Sequence, residues 1–321
     1  MFLTPDIVAR LKAKDYRDNS IKTINTSIKR IYRDGFGKDV FNIQDLYDTD
    51  TFGKYLEKKV PDPGMQRMLT YAGMLVLSIM EGEGKESEES KWYKTLHKQL
   101  SRKEARDNVW KNPSAKEKEA YMSFKDIENM RDILYETIKS IKAEEYAGGD
   151  TGSMEKRLMY LRYFILCLYT YIPPLRGEDY YNTLIFKSGK EKKDVQNYYL
   201  IDEGSLYLSH YKTSTLHGER VISFPRILRD VIEDWYEMVT RKSPIFLPNM
   251  KTGLMYNQVD FTLLLKKVFA PKEISVDMLR KIYISDVVSK MGVAERKKVA
   301  EIMGHTVETQ EFIYNRFHKE T

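Results

Sequence analysis

Residues 158–175 read LMYLRYFILCLYTYIPPL, the longest apolar stretch of the chain. Arg162 interrupts this stretch, and the pair Pro173-Pro174 ends it. A membrane span needs about 20 predominantly apolar residues. The interruption and the proline end favour a buried core helix instead, and no membrane partner is expected.

The composition around this helix is that of a globular protein. The chain has 321 residues, which is enough for two modest domains, and its 42% hydrophobic content supports real cores. Its formal charge of +6 permits a nucleic-acid partner without requiring one. A single cysteine, Cys167, excludes an intramolecular disulfide and is predicted to be a buried thiol. The first residues do not resemble a signal peptide, so secretion is not expected.

The sequence before residue 100 predicts helices. Its apolar positions recur at three- and four-residue spacing, Asn19-Ser20 and Asn42 sit where N-caps belong, and Gly35 sits where a helix should stop. A polar, basic, proline-containing stretch follows. We interpret residues 1–105 as a helical domain, 106–122 as a basic linker and 123–321 as a second domain. Ser123 to Asp126 has the pattern of a helix cap that opens this second domain.

Strand-like patterns occur after the apolar helix. Four short segments are rich in Tyr, Ile, Leu and Val: TLIFK (183–187), NYYLID (197–202), SLYLSHYK (205–212) and RVISF (220–224). They predict a small antiparallel sheet of about three strands, and helical periodicity returns afterwards. The expected fold class is therefore mainly α with a small antiparallel β-sheet, an α+β arrangement.

Five residues after position 170 are candidates for chemistry, although each also has an ordinary explanation. Arg176 can bind the last carbonyls of the preceding helix, and Lys212 can be a solvated hairpin lysine. Arg280 can pair with a carboxylate on its own helix. His305 follows a glycine and can be a helix-end histidine, and Tyr314 can be a core aromatic.

The order and spacing of these five residues resemble the tyrosine recombinase (phage integrase) family. The most specific match is Met-Gly-His at 303–305 with Ile-Tyr at 313–314. The stretch Pro-Pro-x-Arg-x-x-Asp-Tyr at 173–180 resembles integrases of large DNA viruses, virophages and related mobile elements. The match covers about 123–321, and it implies a DNA-clamping role for the helical first domain. It also implies a protein of the host cytoplasm or nucleus.

The resemblance implies a role for each matching residue. Attack on a phosphodiester places extra charge on its non-bridging oxygens, which guanidinium groups can hold with fixed N–H donors. The leaving 5′-oxygen needs a general acid. The implied set is Tyr314 as nucleophile, Arg176 and Arg280 on the oxygens, Lys212 as general acid, His305 as hydrogen-bond donor and Asp179 as support for Arg176.

Asp277 departs from the family pattern, because the family usually has histidine at this position. An aspartate can accept the tyrosine proton, but it cannot donate to phosphate unless it is protonated. A base and a purely structural residue that pins Arg280 or a helix end both remain open. His217, in the same turn as Lys212, is interpreted as a solvated turn residue.

The implied reaction forms a 3′-phosphotyrosine and a free 5′-hydroxyl, and a second 5′-hydroxyl can reverse it. It requires no cofactor and no metal, and the sequence lacks a Walker-type glycine loop and a Cys/His cluster. The expected partners are double-stranded DNA and further copies of the chain, as a homo-tetramer in the synaptic complex and a monomer or dimer off DNA. Residues 27–38 and 102–118 are candidate DNA contacts or, alternatively, a solvated helix face and a plain linker.

Two other functions remain open on the sequence alone. A type IB DNA topoisomerase resembles the recombinases in its active-site order, but viral enzymes of that class begin with a β-rich domain, unlike this chain. The second alternative is a catalytically inactive DNA-binding protein, and Asp277 leaves room for it.

Overall fold

The computed structural model describes residues 2–82, 84–109, 112–148, 154–189, 197–212, 214, 218–240, 243–315 and 317. The chain divides into two compact units, Met1–Trp110 and Lys111–Thr321. Their boundary falls inside the segment 106–122, and the domain limits given above stay a prediction. Within the described ranges, the helices are too short or too polar to cross a membrane.

The first unit is helical throughout its described residues. Its elements are α1 (Pro5–Ala13), α2 (Asp18–Arg30), a π-helical turn (Ile31–Phe36), a 3-10 turn (Ile43–Tyr47), α3 (Thr49–Lys59), α4 (Pro63–Glu81) and α5 (Glu88–Val109). The apolar spacing seen in the sequence forms its core: Ile21, Ile24 and Ile28 are all buried on one face of α2.

The helix-end signals in this unit had different outcomes. The prediction for Asn19-Ser20 was wrong, because both residues lie inside the first turn of α2, whose N-cap is Arg17. Asn42 is an N-cap, as predicted, and its side chain accepts a hydrogen bond from the backbone N–H of Gln44 at 3.2 Å. The prediction for Gly35 was wrong, because the helix continues through it as the π-helical turn and ends at Gly37. Gly37 has φ +68°, the left-handed conformation that glycine adopts without strain.

The second unit contains helices around a small sheet. Its helices are α6 (Ala115–Ala120), α7 (Phe124–Gly148), α8 (Met154–Thr170), α9 (Gly177–Tyr181), α10 (Arg226–Trp235), α11 (Gln258–Val268), α12 (Val276–Asp286), α13 (Val293–Met303) and α14 (Val307–Thr309). Two π-helical turns, Tyr236–Thr240 and Gln310–Tyr314, and a 3-10 turn, Val288–Lys290, complete it. The strands are β1 (Thr183–Phe186), β2 (Asn197–Leu200), β3 (Ser205–Leu208) and β4 (Arg220–Ser223).

The apolar helix of the sequence is α8, and it forms the centre of the second core, as predicted. Cys167 on this helix is fully buried. The ring of Phe164 stacks on Trp235 of α10 with centroids 4.6 Å apart. The cap predicted before α7 is also present, because Ser123 Oγ accepts the backbone N–H of Asp126 at 3.1 Å.

The sheet differs from the prediction in strand number and direction. It has four strands in the order β1-β2-β3-β4, and β1 runs parallel to β2, so the sheet is mixed. Only the β2–β3 and β3–β4 pairs are antiparallel. Ten residues separate the end of β1 from the start of β2, which is more than the two to five residues of a hairpin turn. Residue patterns reveal strands but carry no information on direction.

Candidate functional site

Arg176 lies at the point where the buried helix α8 has ended and α9 begins. Its backbone N–H donates to Asp179 Oδ2 at 3.0 Å, which closes the first turn of α9. Its guanidinium Nη2 donates to the carbonyl of Gly304 at 3.2 Å. Nη1 is buried and has no hydrogen-bond partner within the described part of the chain. Arg176 therefore keeps donor capacity while it is anchored to the turn that carries His305.

Asp179 supports Arg176 through the backbone rather than through a side-chain ion pair. It is only 1% exposed, and its Oδ1 has no hydrogen-bond partner among the described residues. Burial raises the pKa of Asp179 to about 6, although the positive charge of Arg176 opposes this rise. The carboxylate is therefore close to its own titration at neutral pH.

Arg280 is 2% exposed on α12 and joins three segments. Nη1 donates to the carbonyl of Pro174 at 2.8 Å, and Nη2 donates to the carbonyl of Met303 at 3.1 Å. Nε donates to the hydroxyl of Tyr314 at 3.4 Å. The proline pair that ends the apolar helix thus has a second use, since its carbonyl fixes this arginine.

Tyr314 is half-buried at the end of the last π-helical turn. Its ring lies between two of the other candidates. The guanidinium carbon of Arg280 is 5.1 Å from the ring centroid, and the imidazole of His305 stacks at 5.4 Å with an interplanar angle of 28°. The hydroxyl therefore lies beside the guanidinium of Arg280, whose Nε donates to it.

His305 follows Gly304, which ends α13 with φ +67°. Nδ1 is 3.2 Å from the carbonyl of Thr306, and Nε2 is buried without a hydrogen-bond partner among the described residues. Burial, followed by the positive charge of Arg280, lowers the pKa of His305 to about 3. The imidazole is therefore neutral at pH 7. With Nδ1 donating to Thr306, Nε2 carries the lone pair.

Lys212 is exposed on the connection between β3 and β4. It lines a cleft of about 420 Å³ together with Arg176, Arg280 and Tyr314. Phe261 and Thr262 of α11 form part of another wall of this cleft. The structure therefore brings the proposed acid, the nucleophile and both arginines to one cavity. His217 lies outside the described residues.

Asp277 also lines this cleft, at the start of α12, and its side chain is 57% exposed. Its carboxylate pairs with Lys281 at 2.5 Å, one helical turn further on. Lys281 also binds Glu117 of α6 at 2.9 Å. The Asp277 carboxylate, which could accept a proton, is thus already paired with a lysine. No described hydrogen bond or ion pair links Asp277 to Arg280.

Sequence analysis missed one residue of the cluster, Arg220, the first residue of β4. Its Nη2 donates to the carbonyl of Glu301 at 2.9 Å and also to that of Ile302. A Cβ added to Gly304 would lie 2.6 Å from Arg220 Nη1 and 3.2 Å from Arg176 Nη1. No sequence pattern marks an arginine at the start of a strand as part of a site. The carbonyl that Arg220 binds, that of Glu301, comes 81 residues later in the chain.

The cluster has the character of a site for an anion. Three guanidinium groups surround the Gly304–His305 turn, and none of them has a carboxylate within ion-pair distance among the described contacts, so their charge is not cancelled locally. Arg176 Nη1, Arg220 Nη1 and His305 Nε2 are buried and lack partners within the described chain. Among the described residues, no group of three His, Cys, Asp or Glu side chains is placed to hold a metal ion.

Similarity between this chain and known proteins is low. No protein-family model matches the chain, and no curated protein does. The crystal structure of XerA recombinase is similar to this chain with a TM-score of 0.40 and 13% sequence identity, and the alignment covers 98% of this chain and 93% of that chain.

Proposed function

We propose that this protein is a site-specific tyrosine recombinase, which cleaves and rejoins DNA strands through a 3′-phosphotyrosine for the integration or excision of a DNA element. The observation that carries the proposal is the hydroxyl of Tyr314, 3.4 Å from Arg280 Nε in a cleft that Arg176 and Lys212 also line. A nucleophile, two oxyanion donors and a proton donor in one cavity are the groups that phosphoryl transfer to a side chain needs.

The nucleophilic step forms a bond between Tyr314 Oη and phosphorus while the phenol loses its proton. An ordinary tyrosine titrates near pH 10, so the phenolate needs stabilisation at pH 7. The Arg280 guanidinium, whose Nε donates to this hydroxyl, faces the oxygen as it attacks and stabilises the negative charge that develops in the transition state. Neutral His305 and Asp277 are the two candidate acceptors for the proton, and the Asp277 carboxylate is paired with Lys281 in the structure.

The non-bridging oxygens bind where Arg176 faces the cleft. Guanidinium groups remain charged at all relevant pH values and donate in a fixed fork, which suits a trigonal-bipyramidal phosphorane. His305 can add a hydrogen bond from Nε2 only when that nitrogen carries a proton. Phosphate binding favours this state, because a nearby negative charge raises the pKa of an imidazole.

The leaving group is the 5′-oxygen of the downstream nucleotide. The P–O5′ bond breaks as the Tyr314–phosphorus bond forms, and Lys212 transfers a proton to the oxygen, so a neutral 5′-hydroxyl leaves. The same steps in reverse, with a 5′-hydroxyl of a second strand, release Tyr314 and join the strands. The phosphodiester energy is retained in the phosphotyrosine, so the scheme includes no nucleotide cofactor.

The other parts of the proposal concern partners. We infer that the helical unit Met1–Trp110 contacts the sugar-phosphate backbone of duplex DNA. We also infer that four copies of the chain assemble around two DNA sites. The basic segment 27–38 is a candidate contact surface, although Arg33 pairs with Asp34 at 2.9 Å and Lys38 with Asp45. Phosphate contacts of this kind predict affinity that falls steeply with salt concentration.

The test is covalent capture on nicked duplex DNA with randomised sequence. A nick just downstream of the scissile phosphate lets the short product diffuse away, so the protein–DNA adduct accumulates and survives denaturation. We expect adduct formation by the wild type, enrichment of one sequence, and no adduct with Tyr314→Phe. Tyr181→Phe is the matched control, because Tyr181 lines the same cleft, and it should retain capture.

Three outcomes separate the alternatives. Adduct at an enriched sequence, followed by strand exchange between two copies of that sequence, supports the recombinase. Relaxation of a supercoiled plasmid without such a sequence, at concentrations where the protein is monomeric, supports a topoisomerase instead. DNA binding without any adduct, unchanged by Tyr314→Phe, supports a protein that has lost catalysis.

A further inference from the structure

Arg220 begins β4, directly after the connection that carries Lys212. In the β3–β4 ladder it lies opposite Leu208, so these two residues close the connection at its base. The backbone there is fixed by sheet hydrogen bonds, whereas Lys212 is exposed further along. The placement of Lys212 therefore depends on contacts made between the base of the connection and the rest of the site.

On one side, Arg220 contacts the residue next to Lys212. Its guanidinium carbon lies 4.9 Å from the ring centroid of Tyr211, which is fully buried. The hydroxyl of Tyr211 donates to the carbonyl of Gly218 at 2.9 Å, near the far end of the connection. Arg220 and Tyr211 together hold both ends of the connection.

On its other side, Arg220 binds the C-terminal end of α13. Its donation to the carbonyls of Glu301 and Ile302 places a positive charge at the negative end of this helix. The next residues are Met303, Gly304 and His305. The carbonyls of Met303 and Gly304 bind Arg280 and Arg176 respectively. Arg220 thus binds the two residues that directly precede the ones whose carbonyls hold Arg280 and Arg176.

Burial of the Arg220 guanidinium is energetically unfavourable. Burial lowers the pKa of Arg220, and the negative charge of Asp179 only partly opposes this. A buried arginine that served only to stabilise the sheet could be replaced by an apolar residue with little loss. Its simultaneous contacts with two segments of the site suggest a different reason for its presence.

We propose that Arg220 is a positioning residue that fixes the Lys212 connection against the Gly304–His305 turn, so that the ammonium meets the leaving oxygen of the phosphate held there. This inference rests on the proposed function, since it assigns Arg220 to the proton-transfer step of that reaction. Arg220 acts through Lys212 and makes no contact of its own with the leaving oxygen.

The leaving group provides the test. In a substrate with sulfur in place of the bridging 5′-oxygen, the P–S bond breaks to give a thiolate, which needs no proton because a thiol is far more acidic than an alcohol. A defect in proton donation disappears with this substrate, whereas a defect in phosphate binding or in Tyr314 persists. The sequence enriched by covalent capture supplies the duplex, synthesised with oxygen or sulfur at the scissile position.

Four variants are compared with the wild type on both substrates. With oxygen, Lys212→Ala is expected to slow cleavage about 10²–10⁴-fold and Arg220→Ala about 10–10²-fold, since general acids typically contribute in this range. With sulfur, both should cleave at nearly the wild-type rate. Tyr211→Leu, which removes the ring beneath the guanidinium but keeps the charge, should behave like a weaker Arg220→Ala. Arg226→Ala removes an exposed arginine six positions later and should change neither rate.

The proposal fails if the Arg220→Ala defect remains with sulfur, because Arg220 would then act on the phosphate or on the fold. It also fails if neither Arg220→Ala nor Tyr211→Leu slows cleavage of the oxygen substrate. If Arg220→Ala does not fold, the test uses Tyr211→Leu instead, through the ratio of its cleavage rates on the sulfur and oxygen substrates. Failure of the recombinase proposal is recognised separately, because the wild type would then form no Tyr314-dependent adduct with either substrate.

Discussion

The two sides of the proposed catalytic cleft are held in different ways. Arg176 and Arg280 are anchored to backbone carbonyls of Gly304, Pro174 and Met303, and Arg280 is almost fully buried. Lys212 lies on an exposed connection between two short strands. The two arginines proposed to hold the phosphate are thus fixed by the fold without substrate, while the proposed proton donor lies on a surface segment. Preorganised donors are effective because they need no rearrangement when charge develops.

The largest effect is expected at the anchored side. Arg280→Ala removes the donor to the carbonyls of Pro174 and Met303, and buried carbonyls without partners cost about 1–3 kcal/mol each. We expect the free energy of unfolding to fall by roughly 2–6 kcal/mol on this basis, and cleavage to be lost. Urea unfolding and covalent capture measure the two effects, with Arg226→Ala as the control. Unchanged stability would show that the anchoring contacts are not formed in solution.

The exposed side should respond differently. Lys212→Ala is expected to slow cleavage about 10²–10⁴-fold, the usual contribution of a general acid, and to leave the free energy of unfolding within about 0.5 kcal/mol of wild type. Lys212→Arg should be similarly slow, because a guanidinium is too weak an acid to donate. A substantial loss of stability in either variant would contradict the contrast between the two sides.

The turn that joins the two sides gives an intermediate test. Gly304→Ala places a Cβ at φ +67° and 2.6 Å from Arg220 Nη1. Gly253→Ala has a similar φ of +70° but nothing within 4 Å, so it measures the backbone cost alone. We expect Gly253→Ala to lose about 1 kcal/mol and Gly304→Ala about 2–3 kcal/mol, with slower cleavage only in the latter. Equal losses would show that Arg220 moves aside freely.

The last comparison concerns the pH dependence of stability. The pKa of His305 is lowered to about 3 from an ordinary 6.5, so its contribution to stability is present above pH 6.5 and is lost as the pH falls toward 3. The pKa of Asp179 is raised from 3.8 to about 6, so its contribution is present below pH 3.8 and is lost as the pH rises through 6. Between about pH 4 and 6, His305 makes the free energy of unfolding rise with pH, whereas Asp179 makes it fall.

Replacing one of these two groups should reveal the pH dependence of stability that the other produces. The free energy of unfolding of Asp179→Asn should rise more steeply with pH over this range than that of the wild type, and His305→Gln should show the opposite change in slope. Urea unfolding at intervals between pH 4 and 7 measures both. Profiles parallel to the wild type would mean that neither group has a shifted pKa in the folded protein.

Single residues show how far local sequence determined the structure. The apolar run of α8, the Asn42 cap and the Ser123 cap follow from side-chain chemistry within a few positions, and all three were predicted. The prediction for Gly35 was wrong because two glycines lie close together in the sequence, and the left-handed conformation that ends the helix is at Gly37, while Gly35 lies against the ring of Tyr55. The parallel β1–β2 pair was missed because strand patterns do not encode direction.

For the site, the sequence alone determined which residue types are available and in what order, and this order suggested five groups for one reaction. Only the tertiary structure decided that Asp277 pairs with Lys281, that Nε2 of His305 has no partner among the described residues, and that Arg220 joins the cluster. The physical reason is distance along the chain. A contact such as Arg280 with Pro174 joins positions 106 apart, and no local pattern of charge or periodicity records which distant carbonyl a buried guanidinium will bind.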